Sequence, residues 1–201
     1  MRLKILEILA CPKCFDELSC CIVKKDSEGG IIKGTLECRR CKFSCNITQG
    51  IPRFVGGINY ASSFSYQWNC FKFEQLDSFT RKRFSEKRFF SETGWKKEWL
   101  DGKLILDAGC GAGRFLDVIS NSFCEVIGVD ISEAIDAASV TMQGHKNVHL
   151  VQASIYELPF RPGTFDGCYS IGVIQHTPDP KKAILSLPKF IKKEGRIAVT
   201  I

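Results

Sequence analysis

The chain has 201 residues, 44% of them hydrophobic, and a formal net charge of +6. That is enough apolar material for one domain plus a small module, and no apolar stretch approaches the roughly 20 residues of a membrane span. The positive charge is uneven: residues 1–60 hold ten Lys/Arg against six Asp/Glu, residues 61–103 nine against six, and residues 104–201 nine against ten. A basic first half favours an anionic partner such as RNA or a phosphorylated sugar carrier, or a solvated basic surface.

The opening stretch Met1-Arg-Leu-Lys-Ile-Leu-Glu7 carries an acid inside its apolar run and no cleavage-site pattern, so it does not read as a signal peptide. Eleven cysteines follow along the chain, and four of them form two Cys-x-x-Cys pairs, Cys11-Pro-Lys-Cys14 and Cys38-Arg-Arg-Cys41. Thiol pairs in a cytosolic chain point to metal rather than to disulfides. Four sulfur ligands in tetrahedral geometry suit a structural zinc ion and leave no open position for catalysis. Between the pairs we expect a hairpin, with strands over Ser19–Lys24 and Ile31–Leu36 and a turn at Glu28-Gly29-Gly30. Cys20, Cys21 and Cys45 are expected to serve as packing residues. The segment from Leu6 to Phe54 resembles the small zinc-ribbon proteins that are obligate partners of several tRNA, rRNA and release-factor methyltransferases. The resemblance implies a ribbon that stabilises an enzyme or helps hold its substrate.

Residues 59–103 are aromatic and basic. A helix is expected around Ser78–Phe90, with Arg81, Lys82, Arg83, Lys87 and Arg88 on its outer side. Ser63-Phe-Ser-Tyr-Gln-Trp68 resembles the segment that precedes the core in bacterial methyltransferases of surface-glycan pathways, where it covers the cofactor and shapes the substrate pocket.

The most informative stretch is Leu104-Ile-Leu-Asp-Ala-Gly-Cys-Gly-Ala-Gly-Arg-Phe115. An apolar strand ends in Asp107, glycines follow at 109, 111 and 113, and a helix begins. Glycines at such a turn let backbone N–H groups approach a ligand closely. A second strand, Glu125 to Ser132, ends in Asp130, placed to accept hydrogen bonds from a ribose. Val151 to Phe160 and Phe165 to Pro180 supply a third and a fourth strand, each with its following loop. On these residues the chain resembles the class I S-adenosylmethionine-dependent methyltransferases. The resemblance implies that Gly109, Gly111 and Gly113 border the methionine part of the cofactor and that Asp107 orients the loop. It also implies that Asp130 holds the ribose and that Ile131 and Ile155 border the adenine. Ser154 stands where the family usually has an aspartate that accepts from the adenine amino group. His176, in Gln175-His-Thr177, is a candidate general base, with Tyr66 and Asp179 behind it.

The expected fold class is α/β: a Rossmann-like doubly wound sheet preceded by a small zinc ribbon. Its parts are the ribbon (1–58), a helical connecting or cap segment (59–103) and the S-adenosylmethionine-binding core (104–201). Core strands are expected at about 104–108, 125–130, 148–152, 166–170 and 196–201, with a helix from Pro178 to Phe190 split at Pro188. The family's last two strands are missing from this list. The core therefore reads as C-terminally truncated, and the fifth strand as an edge open to self-association. The expected function is a cytoplasmic S-adenosylmethionine-dependent methyltransferase acting on a small molecule or glycan precursor, in preference to RNA or protein. The alternative is a non-catalytic cofactor-binding or partner module.

Overall fold

The structure is a computed structural model that describes residues 1–55 and 73–201. The whole aromatic motif at 63–68, Tyr66 included, therefore lies outside the described residues. Its strands are β1 (Leu18–Lys25), β2 (Ile31–Cys38), β3 (Ser44–Thr48), β4 (Ile51–Arg53), β5 (Leu104–Ala108), β6 (Glu125–Asp130), β7 (Val148–Gln152), β8 (Phe165–Ile171) and β9 (Ile191–Thr200). The described helices are α1 (Asp77–Thr80), α2 (Phe84–Thr93), α3 (Arg114–Ile119), α4 (Ala134–Thr141) and α5 (Pro180–Ser186). Short 3-10 turns connect several of them.

The nine strands among the described residues form one sheet in the order β1-β2-β3-β4-β7-β6-β5-β8-β9. The first four run antiparallel as a ribbon meander. β5 to β9 are parallel, with helices crossing over between β5 and β6, between β6 and β7 and between β8 and β9, and a loop from β7 to β8. The two halves meet where β4 pairs with β7, Arg53 opposite Gln152, and the Phe54 N–H donates to the Gln152 carbonyl at 2.8 Å. Sequence reading did not foresee that join. A three-residue strand with a proline at its centre gives no periodic signal of its partner.

Strand alternation sorts the core into two layers. Leu106, Ala108, Ile127, Val129 and Val151 face one side, where they pack with Phe160, Phe165 and Leu187 and with Ile5, Leu9, Leu36 and Ile47 of the ribbon. Ile105, Val126, Tyr169 and Ile171 face the other side, under Phe89, Trp95, Phe115, Leu116 and Ile135. The ribbon thus shares a hydrophobic core with the parallel sheet. Polar ties reinforce the joint. The Ala10 N–H donates to the Pro159 carbonyl and the Arg161 N–H to the Ile8 carbonyl, both at 2.9 Å. Arg53 donates to Asp136 at 2.6 Å and to Gln152 at 3.0 Å.

Three expectations need correction. The helix expected over Ser78–Phe90 is two helices. Arg81, at φ 57° in the left-handed region, ends α1, and α2 runs on to Thr93 before Gly94 caps it at φ 63°. Arg88 is not on the outer side but turns inward. Cys21 is exposed on β1, whereas Cys45 is buried and Cys20 half-buried, so only the latter two are packed. The last strand starts at Ile191 rather than near 196, because the chain enters β9 directly from the 3-10 turn Pro188–Phe190.

Candidate active site and metal centre

The loop after β5 is built by its glycines. Gly109, Gly111 and Gly113 have φ of 102°, 52° and 94°. Gly109 also has no room: an added Cβ would lie 2.4 Å from Val173 Cγ1. The turn is pinned from the next strand, since the N–H groups of Gly109 and Cys110 both donate to the Val129 carbonyl, at 2.8 and 2.9 Å. The Gly111 N–H donates to Asp130 Oδ2 at 2.9 Å, and the Ser132 N–H and hydroxyl donate to Oδ1 at 2.8 and 2.7 Å. Burial pushes the Asp130 carboxyl up, and these bonds pull it back.

A cavity of about 320 Å³ opens above this loop, a volume in the range of small-molecule sites. Among the expected residues, Gly109, Gly111, Asp130, Ile131, Ile155 and His176 border it. Asp107, Gly113 and Ser154 do not. Asp107 is 2% exposed and accepts the Tyr169 hydroxyl at 2.8 Å behind the loop. Burial pushes its carboxyl up to about 8. Gly113 starts α3 against Thr141, and the Ser154 hydroxyl accepts the Tyr156 N–H at 3.2 Å. Asp179 is spent on a helix cap, accepting the Lys182 N–H at 2.9 Å at the start of α5. His176 is exposed in the 3-10 turn after β8.

The cavity has further walls. Phe115, Leu158, Ile171 and Val173 supply apolar surface, and Gln75, Arg88 and Arg114 supply polar groups. Arg114 follows the last glycine of the loop directly, a position that could have flagged it from sequence. Arg88 could not have been found that way, because the break between α1 and α2 decides where it points.

The donor set fits S-adenosylmethionine. Backbone around small residues meets a carboxylate at the end of the neighbouring strand, beside apolar side chains of a size to border a base.

The second cluster is on the ribbon. The sulfurs of Cys11, Cys14, Cys38 and Cys41 all lie within 4.8 Å of one another. Cys11 and Cys41 approach to 3.4 Å, and Cys14 and Cys38 to 3.5 Å. A tetrahedron with zinc–sulfur bonds of about 2.3 Å has sulfur–sulfur edges of about 3.8 Å, so the cluster is nearly preformed for that ion. The Cys41 N–H holds the Cys38 thiol down to about 7. Burial pushes Cys11 up to about 12. The Cys45 sulfur lies outside this group.

Comparison with known proteins agrees with this geometry. Residues 106–199 match the family described as methyltransferase domain. The chain is 34% identical over 103 residues to a tRNA (carboxymethyluridine(34)-5-O)-methyltransferase of Arabidopsis thaliana, covering 50% of this chain and 24% of that protein. It is 32% identical over 100 residues to the ubiquinone biosynthesis O-methyltransferase of Thiobacillus denitrificans, covering 48% and 43%. It thus spans less than half the length of either relative. Among solved structures, a complex between the Haloferax volcanii Trm112 methyltransferase activator and a methyltransferase shares the fold. The TM-score is 0.57 at 15% identity, over 71% of this chain and 61% of that one. Residues 106–199, just under half of the chain, are thus similar to methyltransferase domains. Among the described residues, no helix is long and apolar enough to cross a membrane.

Proposed function

We propose that this protein transfers a methyl group from S-adenosylmethionine to a small molecule or glycan precursor, with a ribbon that holds structural zinc. The observation that carries the reading is the junction of the glycine loop with Asp130 at a cavity inside a matched methyltransferase domain. The parts are the ribbon (1–58), a connecting or cap segment (59–103) and the core (104–201). In this reading the methionine part borders Gly109 and Gly111, Gly113 supports the loop by starting α3, Asp130 accepts from the ribose hydroxyls, and Ile131 and Ile155 flank the adenine. Asp107 and Ser154 act from behind, the first by fixing the loop and the second through the turn that carries Ile155. Cys11, Cys14, Cys38 and Cys41 bind the zinc.

The bound cofactor supplies an already activated methyl group. The protein's task is therefore alignment of the acceptor, which is worth much of the rate. His176, at the cavity mouth, takes the acceptor's proton where the acceptor must lose one. A compact cavity with apolar walls supports a small acceptor. A tRNA methyltransferase among the relatives and the basic first half support RNA as a second reading.

Calorimetry with S-adenosylhomocysteine tests the first step. Asp130→Ala is expected to weaken binding by about 1.5–3 kcal/mol, the scale of lost hydrogen bonds to a charged group. Unchanged affinity removes Asp130 from the site. Transfer from labelled cofactor to nucleotide-sugar, RNA and protein fractions identifies the acceptor class.

A further inference from the structure

We propose that Arg88 and Arg114 form a binding site for a carboxylate or phosphate on the methyl acceptor, at the cap side of the cavity. The inference rests on the methyltransferase reading and names the substrate chemistry of that same site.

Both guanidinium groups border the cavity. They flank one ring: Arg88 lies 5.8 Å and Arg114 5.2 Å from the Phe115 centroid. A shared aromatic face orients two flat cations without neutralising either. Arg88 spends its Nε on Glu92 at 2.6 Å, and an added Cβ on Gly172 would lie 3.8 Å from its Nη2. Its terminal nitrogens therefore reach the loop after β8, and among the described residues no acceptor meets them. Arg114 has only neutral described partners, the Ser85 hydroxyl at 3.0 Å from Nε and the Gln75 carbonyl oxygen at 3.3 Å from Nη1. Burial and the proximity of Arg88 work against its charge, while the carboxylates of Asp77 and Glu92 nearby favour it. Glu92, paired with Arg88, offsets one of the two positive charges, and the group keeps an excess of positive charge at a half-buried surface until a further anion completes it.

The cofactor does not complete it. S-adenosylmethionine has a sulfonium and an ammonium against one carboxylate, so its arrival adds positive charge. Counting Glu92, the two guanidinium groups and the bound cofactor still sum to a net positive charge, so a cofactor carboxylate paired with one guanidinium leaves the group short of an anion. An acceptor that carries a carboxylate or phosphate balances the site. It also places its neutral end over Phe115, Ile171 and Val173, on the side of the glycine loop.

The test measures binding of phenyl phosphate, benzoate and benzamide to the full chain saturated with S-adenosylhomocysteine. These share a ring and differ in charge. The expected result is that phenyl phosphate or benzoate binds at least tenfold tighter than benzamide, with the difference shrinking as salt rises. Arg88→Gln and Arg114→Gln should each remove most of that preference, and Arg88→Lys should restore part of it. S-adenosylhomocysteine affinity should stay within about threefold. Equal binding of the three probes to the unaltered chain overturns the proposal. So do variants that lose S-adenosylhomocysteine tenfold but keep 5′-methylthioadenosine, because the pair then reads the cofactor's own carboxylate. Failure of the unaltered chain to bind S-adenosylhomocysteine at all refutes the methyltransferase reading instead. The anion preference is then measured on the ligand-free chain, where its loss in both variants still supports the paired site and its absence still overturns it.

Discussion

Asp107 is a carboxyl whose burial favours the protonated form. It is buried, it accepts a hydrogen bond from Tyr169, and its titration is pushed up to about 8. In the unfolded chain it titrates near about 4. Between these values the unfolded state has released a proton that the folded state retains, so stability falls as pH rises, by up to about 1.4 kcal/mol per pH unit. Below that window the group costs nothing, and above it the penalty is constant. Asp107→Asn keeps an oxygen for the Tyr169 hydroxyl and removes the titration. Urea unfolding of the ligand-free chain from pH 5 to 8 should show a flatter profile for the variant, and an unchanged slope would mean that Asp107 titrates normally. Gly109 makes a steric claim at the same scale. An alanine there is strained at φ 102° and strikes Val173, so Gly109→Ala is expected to cost about 2–5 kcal/mol and abolish binding of S-adenosylhomocysteine. Gly94→Ala meets nothing within 4 Å and should cost only about 1 kcal/mol. Adding Val173→Ala to Gly109→Ala should return part of the loss, which thermal melts of the single and double variants can measure.

At the scale of elements, the two knuckles hold the ribbon. β3 alternates cleanly, with Cys45 and Ile47 inward, and β2 turns Ile31, Leu36 and Cys38 inward, yet four short strands bury little area on their own. With zinc on the four thiols, as proposed, metal binding and folding would be coupled. Cys38→Ser should drop the zinc content from one ion per chain to none and lower the melting temperature by about 10 °C. Zinc-free protein purified under reducing conditions, with an unaltered melt, would remove the metal from the account. Much of this layer was legible in sequence. The hairpin, β5 to β8 and the split at Pro188 follow from alternation, from glycine punctuation and from one proline, all of which are local. The break at Arg81 was not legible, because Arg81-Lys-Arg83 reads as good helix former. Asp77 decides it by capping the second helix, accepting the N–H groups of Ser85 and Glu86 at 3.0 and 2.8 Å. The position of Arg88, and with it the charged side of the cavity, depends on that nonlocal bond.

For the whole molecule, the deciding feature is one sheet across ribbon and core. The glycine turn and the acid that closes the next strand were legible because each is written in a short run of neighbouring residues. The β4–β7 join was not, because Arg53 and Gln152 are distant in sequence and neither belongs to a pattern. The join makes the ribbon part of the core's stability. Ile5, Leu9, Leu36 and Ile47 pack in the same layer as Leu106 and Ile127, so the two parts should unfold together. Stripping metal with a chelator is expected to shift the transition followed by core tryptophan fluorescence, and S-adenosylhomocysteine is expected to raise the same transition. Two separate transitions, only one of which responds to the chelator, would show that the ribbon is an independent appendage.

The same join bears on how the chain is made. The ribbon is complete once Arg53 has emerged, and its strands close on neighbours nearby in sequence, which forms quickly. The strand that β4 pairs with is finished only at Gln152, 99 residues later along the chain. At ribosomal speeds of about 5–20 residues per second, β4 waits roughly 5–20 s with one side unpaired. A ribbon that captures its metal during that interval would present β4 as a rigid template for the arriving sheet. Starving cells of zinc should then lower the yield of soluble protein more than removing zinc from the finished protein lowers its solubility.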